Sequence, residues 1–164
     1  MSLQNLDIEL PVICNIEEAE KWAKDFKSIL TVGPRKEEVK WGHKDHAVFT
    51  FSDTTLGSGA PTLDAVETAL DWAQDREDLL VHCHAGISRS TSMAWGISIA
   101  RGADPLEAFL TLKQAQPQEP HWYSSNKTIQ RAFAPNRLIV QHLEKILGIN
   151  GLISIRQEHL TDGW

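Results

Sequence analysis

A cysteine and an arginine, separated by five residues, stand near the middle of the chain at Cys83 and Arg89. The residues between them are small or favour turns, so the backbone N–H groups of this stretch can surround an anion. Arg89 adds a planar guanidinium that matches two oxygens of a phosphate. These positive groups favour the thiolate, so the pattern predicts a cysteine that attacks phosphorus. The predicted phosphate loop comprises His84, Ala85, Gly86, Ile87, Ser88 and Arg89.

The elements on either side of this loop can position it. Residues 79–81 are an apolar run that predicts a short buried strand, and residues 93–100 predict a buried helix. A strand, a tight loop and a helix in that order place the loop at a helix N-terminus, where the dipole favours an anion. The alternative interpretation is a buried structural cysteine with an unrelated arginine nearby.

Cleavage of a phosphate monoester also needs an acid that protonates the leaving oxygen. Asp53 is the best candidate, because it follows an apolar strand at 47–51 and begins a glycine-containing loop, 30 residues before Cys83. In the second step the same group would act as the base toward water. The simpler interpretation is an aspartate in a turn at a strand end. Asp64 is better explained as a first-turn helix acid, and Asp45 is the fallback candidate.

Two further residues are expected to support the cysteine. Ser90 can hydrogen-bond the sulfur, cap the following helix, or do both. His82 is expected to orient the loop through buried hydrogen bonds without exchanging protons. Arg89 and the loop dipoles would neutralise the phosphate, so no metal and no cofactor is expected.

The segment HCHAGISRS at 82–90 resembles the signature of the cysteine-dependent protein phosphatases, and most closely their dual-specificity branch, whose loop reads HCxAGxSRS. A second segment, PNxxxxQxLE at 135–144, resembles the closing motif of the same branch. The resemblance implies a four- or five-stranded sheet with helices on both sides. It also implies hydrolysis through a phosphocysteine, with Asp53 as the acid.

Length and composition limit the number of domains, the kinds of partner and the location that can be expected. The 164 residues, 41% of them hydrophobic, fit one globular domain, and residues 149–164 are an extension that the resemblance does not cover. A net charge of −6 argues against an extended nucleic-acid surface. The two cysteines imply no disulfide framework, and no segment is apolar enough to span a membrane. With no secretory signal visible, the cytoplasm is the default location. The sequence indicates no oligomeric state.

Alternation of predicted strands and helices indicates an α/β fold with a central, mostly parallel sheet. An edge strand is expected within 1–16, because Pro11 cannot donate to a ladder. An amphipathic helix is expected at 17–27, with Ala19, Trp22, Ala23 and Phe26 on one face. Leu63 is expected on the buried stripe of a helix that begins near 62. A further strand is predicted at 28–32. A helix is predicted at 104–115, because Asp104 and Pro105 form a helix start signal, and an irregular stretch is expected at 116–126. A short helix is predicted at 127–133 and the last helix at 135–147.

The substrate is less well defined than the chemistry. The loop contains no lysine, which argues against polyphosphorylated inositides, so a phosphorylated protein or a small phosphomonoester is expected. Trp41 and Trp122 could wall a slot for phosphotyrosine or cover core edges; His43 and His46 are interpreted as surface histidines. Two alternatives stay open: a phosphate-binding module without turnover, and sulfur transfer or arsenate reduction, in which Cys14 would be the second thiol.

Overall fold

The fold is known from a computed structural model, which describes residues 8–120 and 129–160. Its centre is a sheet of four parallel strands in the order β1-β4-β2-β3. The predicted α/β class with a parallel sheet is therefore confirmed. β1 lies at one edge, as the proline before it indicates. The strands are β1 (Val12–Cys14), β2 (Ser28–Val32), β3 (His46–Phe49) and β4 (Leu79–His82).

Six α-helices connect and cover the sheet in the described part of the chain. Most begin at a side-chain cap: Thr62, Asp104 and Asn136 each accept a hydrogen bond from a backbone N–H three residues further on. The Asp104 cap and the following proline confirm the predicted start signal. The helices are α1 (Ile16–Trp22), α2 (Leu63–Ala73), α3 (Arg89–Ala100), α4 (Pro105–Ala115), α5 (Arg137–Leu147) and α6 (Leu152–His159).

The two faces of the sheet are covered differently. Because successive side chains of a strand point to opposite faces, neighbours such as Ile29 and Leu30 enter different clusters. The larger cluster lies beneath α2–α6. The smaller cluster holds Ile29 and Leu80 against α1 and the turn at Ala23–Asp25. Among the described helices, none is long and apolar enough to cross a bilayer.

Several boundaries differ from those predicted. The helix expected at 17–27 ends at Trp22, which is 36% exposed, and a single 3-10 turn follows it. Its start is fixed by a reciprocal capping box between Asn15 and Glu18. Leu63 is also exposed, at 41%, because it occupies the first position of α2.

The second half of the chain contains two larger differences. The short helix expected at 127–133 is wrong for its described part, because Ile129–Arg131 (β6) pairs antiparallel with Gln118–Pro120 (β5), within the stretch expected to be irregular. So short a segment gains little from helical bonds, whereas pairing satisfies its backbone. Helix α5 is not the last, because α6 follows it and buries Leu152 completely.

Arg101 ties together elements that are distant in sequence. Its guanidinium donates to the carbonyl oxygens of Gln74 at 2.7 Å, Glu9 at 2.6 Å and Ala73 at 3.1 Å, and also to that of Arg76. These carbonyls lie at the end of α2 and on the approaches to β1 and β4. The side chain is half-buried, and this burial lowers the pKa of Arg101. Arg101 therefore holds in place the segments that lead into β1 and β4.

We predict that Arg101→Met lowers the free energy of unfolding by about 2–4 kcal/mol, since several charge-assisted hydrogen bonds are lost together. Arg101→Lys should lose nearly as much, because one ammonium cannot reproduce the guanidinium fork. Urea unfolding measures both. Arg137→Met, at an exposed position of α5, is the matched control and should change stability little. Equal stability of Arg101→Met and the control would contradict this assignment.

Candidate active site

The polar loops collect at the carboxyl edge of the sheet, which is where open parallel sheets place their ligand sites. Cys83 follows β4 directly, Gly33 follows β2, and Asp53 lies a few residues beyond β3. Asp45 precedes β3 and therefore lies at the opposite edge, where it pairs with Ser28 and Arg76. These contacts, with that to Ser28 first, lower the pKa of Asp45. The fallback candidate for the acid is therefore wrong.

The sulfur of Cys83 lies on the floor of the loop and is nearly enclosed, with the residue 2% exposed. The backbone N–H of Gly86 donates to Sγ at 3.2 Å, and Ser90 Oγ lies at the same distance from it. Ser90 is inside the first turn of α3, which begins at Arg89, so it contacts the sulfur and does not cap the helix. Both contacts suit a negatively charged sulfur, because N–H and O–H groups can donate to it.

The loop is held closely against the end of β1. Gly86 has a φ of 74°, and a Cβ there would lie 2.7 Å from the carbonyl carbon of Cys14 and 2.8 Å from the nitrogen of Asn15. Only glycine fits both the conformation and the space. The Ile16 N–H also donates to the His84 carbonyl, at 3.0 Å. The start of α1 therefore fixes the middle of the loop.

Arg89 reaches across the carboxyl edge. One terminal nitrogen donates to the Phe51 carbonyl at 2.7 Å, and the other lies 3.3 Å from Nδ1 of His84. The guanidinium passes directly over Gly33, where a Cβ would come within 2.4 Å of Nη1. Its Nε–H is buried and has no hydrogen-bond partner among residues 8–120 and 129–160. A buried donor of this kind is costly unless a ligand oxygen accepts from it.

His84 links Arg89 to an acidic side chain at the rim. Because a guanidinium can only donate, Nδ1 of His84 accepts, and its Nε2–H donates to Glu38 at 3.0 Å. The Arg35 backbone N–H and His84 together lower the pKa of Glu38.

Asp53 stands beside the loop. Its Oδ1 accepts from Ser88 Oγ at 2.7 Å and from Asn136 Nδ2 at 2.9 Å. No hydrogen bond joins its Oδ2 to the part of the chain that the structure describes, and the residue is exposed. One oxygen is thus anchored and the other is accessible. Asp64, by contrast, is in the first turn of α2, as predicted.

Asn136 also belongs to the site, although the sequence does not indicate its contact with Asp53. Its Oδ1 caps α5 by accepting from the Ile139 N–H at 3.0 Å, while its Nδ2 donates to Asp53 and to the Thr54 carbonyl. The second resembling motif identifies Asn136 as part of a helix start. Nothing in the spacing relates it to Asp53, which is 83 residues away.

His82 is completely buried beneath the cysteine. Its Nδ1 lies 3.0 Å from the Cys83 carbonyl oxygen and its Nε2 lies 2.6 Å from Thr31 Oγ1. Burial is the main cause that lowers the pKa of His82 to about 4. The ring is therefore neutral at physiological pH, which agrees with the expectation that it orients the loop without exchanging protons.

The remaining candidates lie away from the sulfur. Trp41 stacks on His46 at 5.6 Å between ring centroids and lies 5.2 Å from His82, so it covers a core edge. Cys14 is buried, and burial raises its pKa to about 12. Trp122 lies outside the described residues. Within the described ranges, no group of three His, Cys, Asp or Glu side chains could hold a metal ion.

Solved structures share this architecture. DUSP15 aligns over 92% of this chain and 92% of its own, at 17% identity and a TM-score of 0.57. The PTP-2 phosphatase of Cydia pomonella aligns over 81% and 83%, at 16% identity and a TM-score of 0.57. A human tyrosine phosphatase-like serine/threonine/tyrosine-interacting protein aligns over 85% and 89%, at 15% identity and a TM-score of 0.54. No protein-family model matches the sequence, and no curated protein matches it significantly.

These similarities define the fold. The chain has the α/β fold of the cysteine-dependent tyrosine and dual-specificity phosphatases, as the resemblance of residues 82–90 implies. The cysteine loop occupies the carboxyl edge of that fold's sheet. Identities of 15–17% carry the architecture only, so the chemistry has to be argued from the side chains.

The buried neutral His82 makes a testable contribution to acid stability. Its folded pKa of about 4 lies below the ordinary value of 6.5, so the unfolded chain binds the proton more tightly. Stability is therefore present above pH 6.5 and is lost as the pH falls toward 4. Between about pH 7 and pH 5 the expected loss from this group is about 2 kcal/mol.

Urea unfolding of the wild type and of His82→Gln at both pH values measures this loss. We expect His82→Gln to be less stable at pH 7 but to lose about 2 kcal/mol less than the wild type on acidification, because glutamine does not titrate. Equal pH dependence in the two proteins would contradict the lowered pKa, because His82 would then titrate alike in the folded and unfolded chains.

Proposed function

We propose that the protein is a phosphomonoesterase that hydrolyses phosphotyrosine, and also phosphoserine or phosphothreonine, through a phosphocysteine intermediate. The observation that carries the proposal is the pairing of two features in one loop. Cys83 Sγ accepts a hydrogen bond from the Gly86 N–H and lies beside the Ser90 hydroxyl. The Arg89 Nε–H is buried and has no hydrogen-bond partner in the described part of the chain. A bound phosphate would supply the missing acceptor and place phosphorus beside the sulfur.

The first step transfers the phosphoryl group to sulfur. The Cys83 thiolate attacks phosphorus, the S–P bond forms and the ester O–P bond breaks. The leaving oxygen takes a proton from Asp53, whose accessible Oδ2 can carry it. Arg89 and the loop N–H groups stabilise the charge that spreads over the three remaining phosphate oxygens.

The second step releases phosphate. Water attacks phosphorus, gives its proton to Asp53, and the S–P bond breaks to restore the thiolate. Ser90 Oγ, at 3.2 Å from Sγ, can donate to the sulfur as charge returns to it. That contact would make Cys83 a better leaving group.

The depth of the sulfur supports an aryl phosphate as the preferred substrate. Cys83 is 2% exposed, so a phosphate must be carried inward on an extended arm, as in phosphotyrosine. A cleft of about 560 Å³ beside the loop, lined in part by Gly33, Phe51 and Arg89, can receive the ring. A thiolate enzyme needs reducing conditions, which supports a cytoplasmic phosphorylated protein, or a small phosphomonoester, as the substrate.

Phosphate binding without turnover is the second candidate. One observation favours it: Asp53 Oδ1 is held by Ser88 and Asn136, so the acid could serve only to shape the loop. The arsenate reductase alternative has less support, because the only other thiol, Cys14, is buried and has a pKa of about 12. Such a group is a poor shuttle.

Hydrolysis of aryl phosphates in the presence of EDTA tests the proposal. We expect Cys83→Ser to abolish turnover, because a serine hydroxyl in this loop is not ionised. We expect Asp53→Asn to slow substrates with poor leaving groups by roughly 10²–10³-fold and those with good leaving groups far less. The control is Asp64→Asn, which should behave like the wild type.

Three results would each count against part of the mechanism. Turnover retained in Cys83→Ser would remove sulfur from the reaction. No wild-type turnover, together with phosphate binding that shifts the melting temperature, would favour the binding module. Equal losses for good and poor leaving groups in Asp53→Asn would assign Asp53 a structural role.

Asn136→Ser separates the two functions of Asn136. Serine keeps the cap of α5 but removes the N–H donor to Asp53. We expect the rate with a poor leaving group to fall about 10-fold, because the acid is less well positioned. Asp104→Ser makes a comparable cap change on α4, away from the site, and should not alter the rate. Equal rates in both variants would contradict the positioning of Asp53 by Asn136.

A further inference from the structure

Three polar side chains meet on one face of the sheet, beside the apolar side chains of Ile29 and Leu80. His46 comes from β3, Thr31 from the central strand β2 and His82 from β4, directly before the cysteine. Thr31 and His82 are register partners in neighbouring strands, and both are completely buried. Trp41 stacks on His46, lies tilted against His82 and covers the group from outside. We call His46, Thr31 and His82 the histidine chain.

The histidine chain is continuous. His46 Nε2 lies 2.7 Å from Thr31 Oγ1, and the same hydroxyl lies 2.6 Å from His82 Nε2. His82 Nδ1 then lies 3.0 Å from the Cys83 carbonyl oxygen. Three hydrogen bonds therefore connect half-buried His46 with the backbone of the proposed nucleophile.

The direction of each proton follows from the chemistry of the last acceptor. A carbonyl oxygen can only accept, so Nδ1 of His82 carries the hydrogen. Since neutral imidazole has one N–H, Nε2 of His82 must accept, and the Thr31 hydroxyl donates to it. The Thr31 oxygen is then free to accept from Nε2–H of His46. All three bonds are satisfied by this single arrangement.

A neutral His82 would otherwise have two tautomers. With its hydrogen on Nε2, it could not donate to Cys83, and the buried carbonyl would lose its donor. Thr31 opposes that tautomer, because its only hydrogen is directed at Nε2 when His46 donates to its oxygen. A buried polar group is costly when it is unpaired, so the arrangement selects one tautomer strongly.

We propose that Thr31 and His46 are positioning residues, which hold His82 in the Nδ1–H tautomer and thereby set the ionisation of Cys83. The hydrogen bond from His82 polarises the peptide unit that joins Cys83 to His84. The N–H of that same unit belongs to the predicted phosphate loop, and polarisation makes it a stronger donor to an anion. This role rests on the proposed function, in which Cys83 reacts as a thiolate, and it explains what stabilises that thiolate.

The surroundings of His46 keep its Nε2–H available as a hydrogen-bond donor near neutral pH. Burial, and secondarily the charge on His43, lower the pKa of His46. The His43 ring meets it edge-on at 6.5 Å between centroids, Trp41 covers its face, and Asp45 precedes it with its carboxylate held by Ser28 and Arg76. His46 can donate through Nε2 whether it is neutral or charged.

The test measures Cys83 directly and does not require turnover. The rate of Cys83 alkylation by iodoacetamide against pH reports its thiol pKa, and mass spectrometry of the Cys83 peptide distinguishes it from Cys14. We expect Thr31→Val to raise the thiol pKa by about one unit, which is a tenfold smaller thiolate fraction below the pKa. Thr31→Ser restores the hydroxyl and should restore the wild-type profile.

His46→Phe provides a second variant nearer the surface, which keeps the stacking on Trp41 but removes the donor. It should raise the pKa of the Cys83 thiol in the same direction by about half a unit. His43→Gln is the matched control, since His43 contacts His46 but is outside the histidine chain, and it should leave the profile unchanged. Long-range ¹H–¹⁵N spectra should show His82 as Nδ1–H in the wild type and a mixture of tautomers in Thr31→Val.

The outcomes are separable from the proposed function. A shifted thiol pKa with no phosphatase turnover would support the histidine chain while contradicting hydrolysis. An unchanged alkylation profile and an unchanged His82 tautomer in either Thr31→Val or His46→Phe would overturn the inference, whatever the enzyme activity. A shift in His43→Gln equal to that in His46→Phe would also overturn it, because the effect would then follow the local charge and not the hydrogen bonds.

Discussion

The close contact between Gly86 and the backbone of Cys14 and Asn15 is the constraint on which the site depends. No other residue fits this contact, and it brings the middle of the cysteine loop onto the end of β1. With the loop held there, the Gly86 N–H is directed at the sulfur. A loop held in this way presents fixed N–H dipoles, and fixed dipoles stabilise charge better than mobile ones.

Each other part of the site is anchored from a different strand end. Arg89 lies over Gly33 after β2 and bonds the Phe51 carbonyl after β3, while His82 and Thr31 support Cys83 from beneath. Asn136 adds α5 to this arrangement by holding Asp53. In the proposed function, this acidic chain would bind the phosphate locally, through Arg89 and the oriented N–H groups of the loop.

Features encoded within a few consecutive residues could be predicted, and features that depend on strand register could not. The loop with Cys83 and Arg89, the cap at Asp104 and the buried strand at 79–81 are local patterns. The structure contains them, with the strand extended by one residue to His82. The contact of His46 with Thr31 and His82 requires knowing which strands are neighbours. The bond between Asn136 and Asp53 likewise depends on how α5 docks against the loop, so no spacing reveals it.

The proposed mechanism requires transfer of the phosphoryl group to the Cys83 sulfur. The most direct measurement is rapid acid quenching of Asp53→Asn during turnover of a good aryl phosphate, followed by mass spectrometry of the peptides. We expect one phosphoryl group on the peptide that contains Cys83, and none in Cys83→Ser. Turnover with no phosphorylated Cys83 at any quench time, or with the phosphoryl group on another residue, would contradict it.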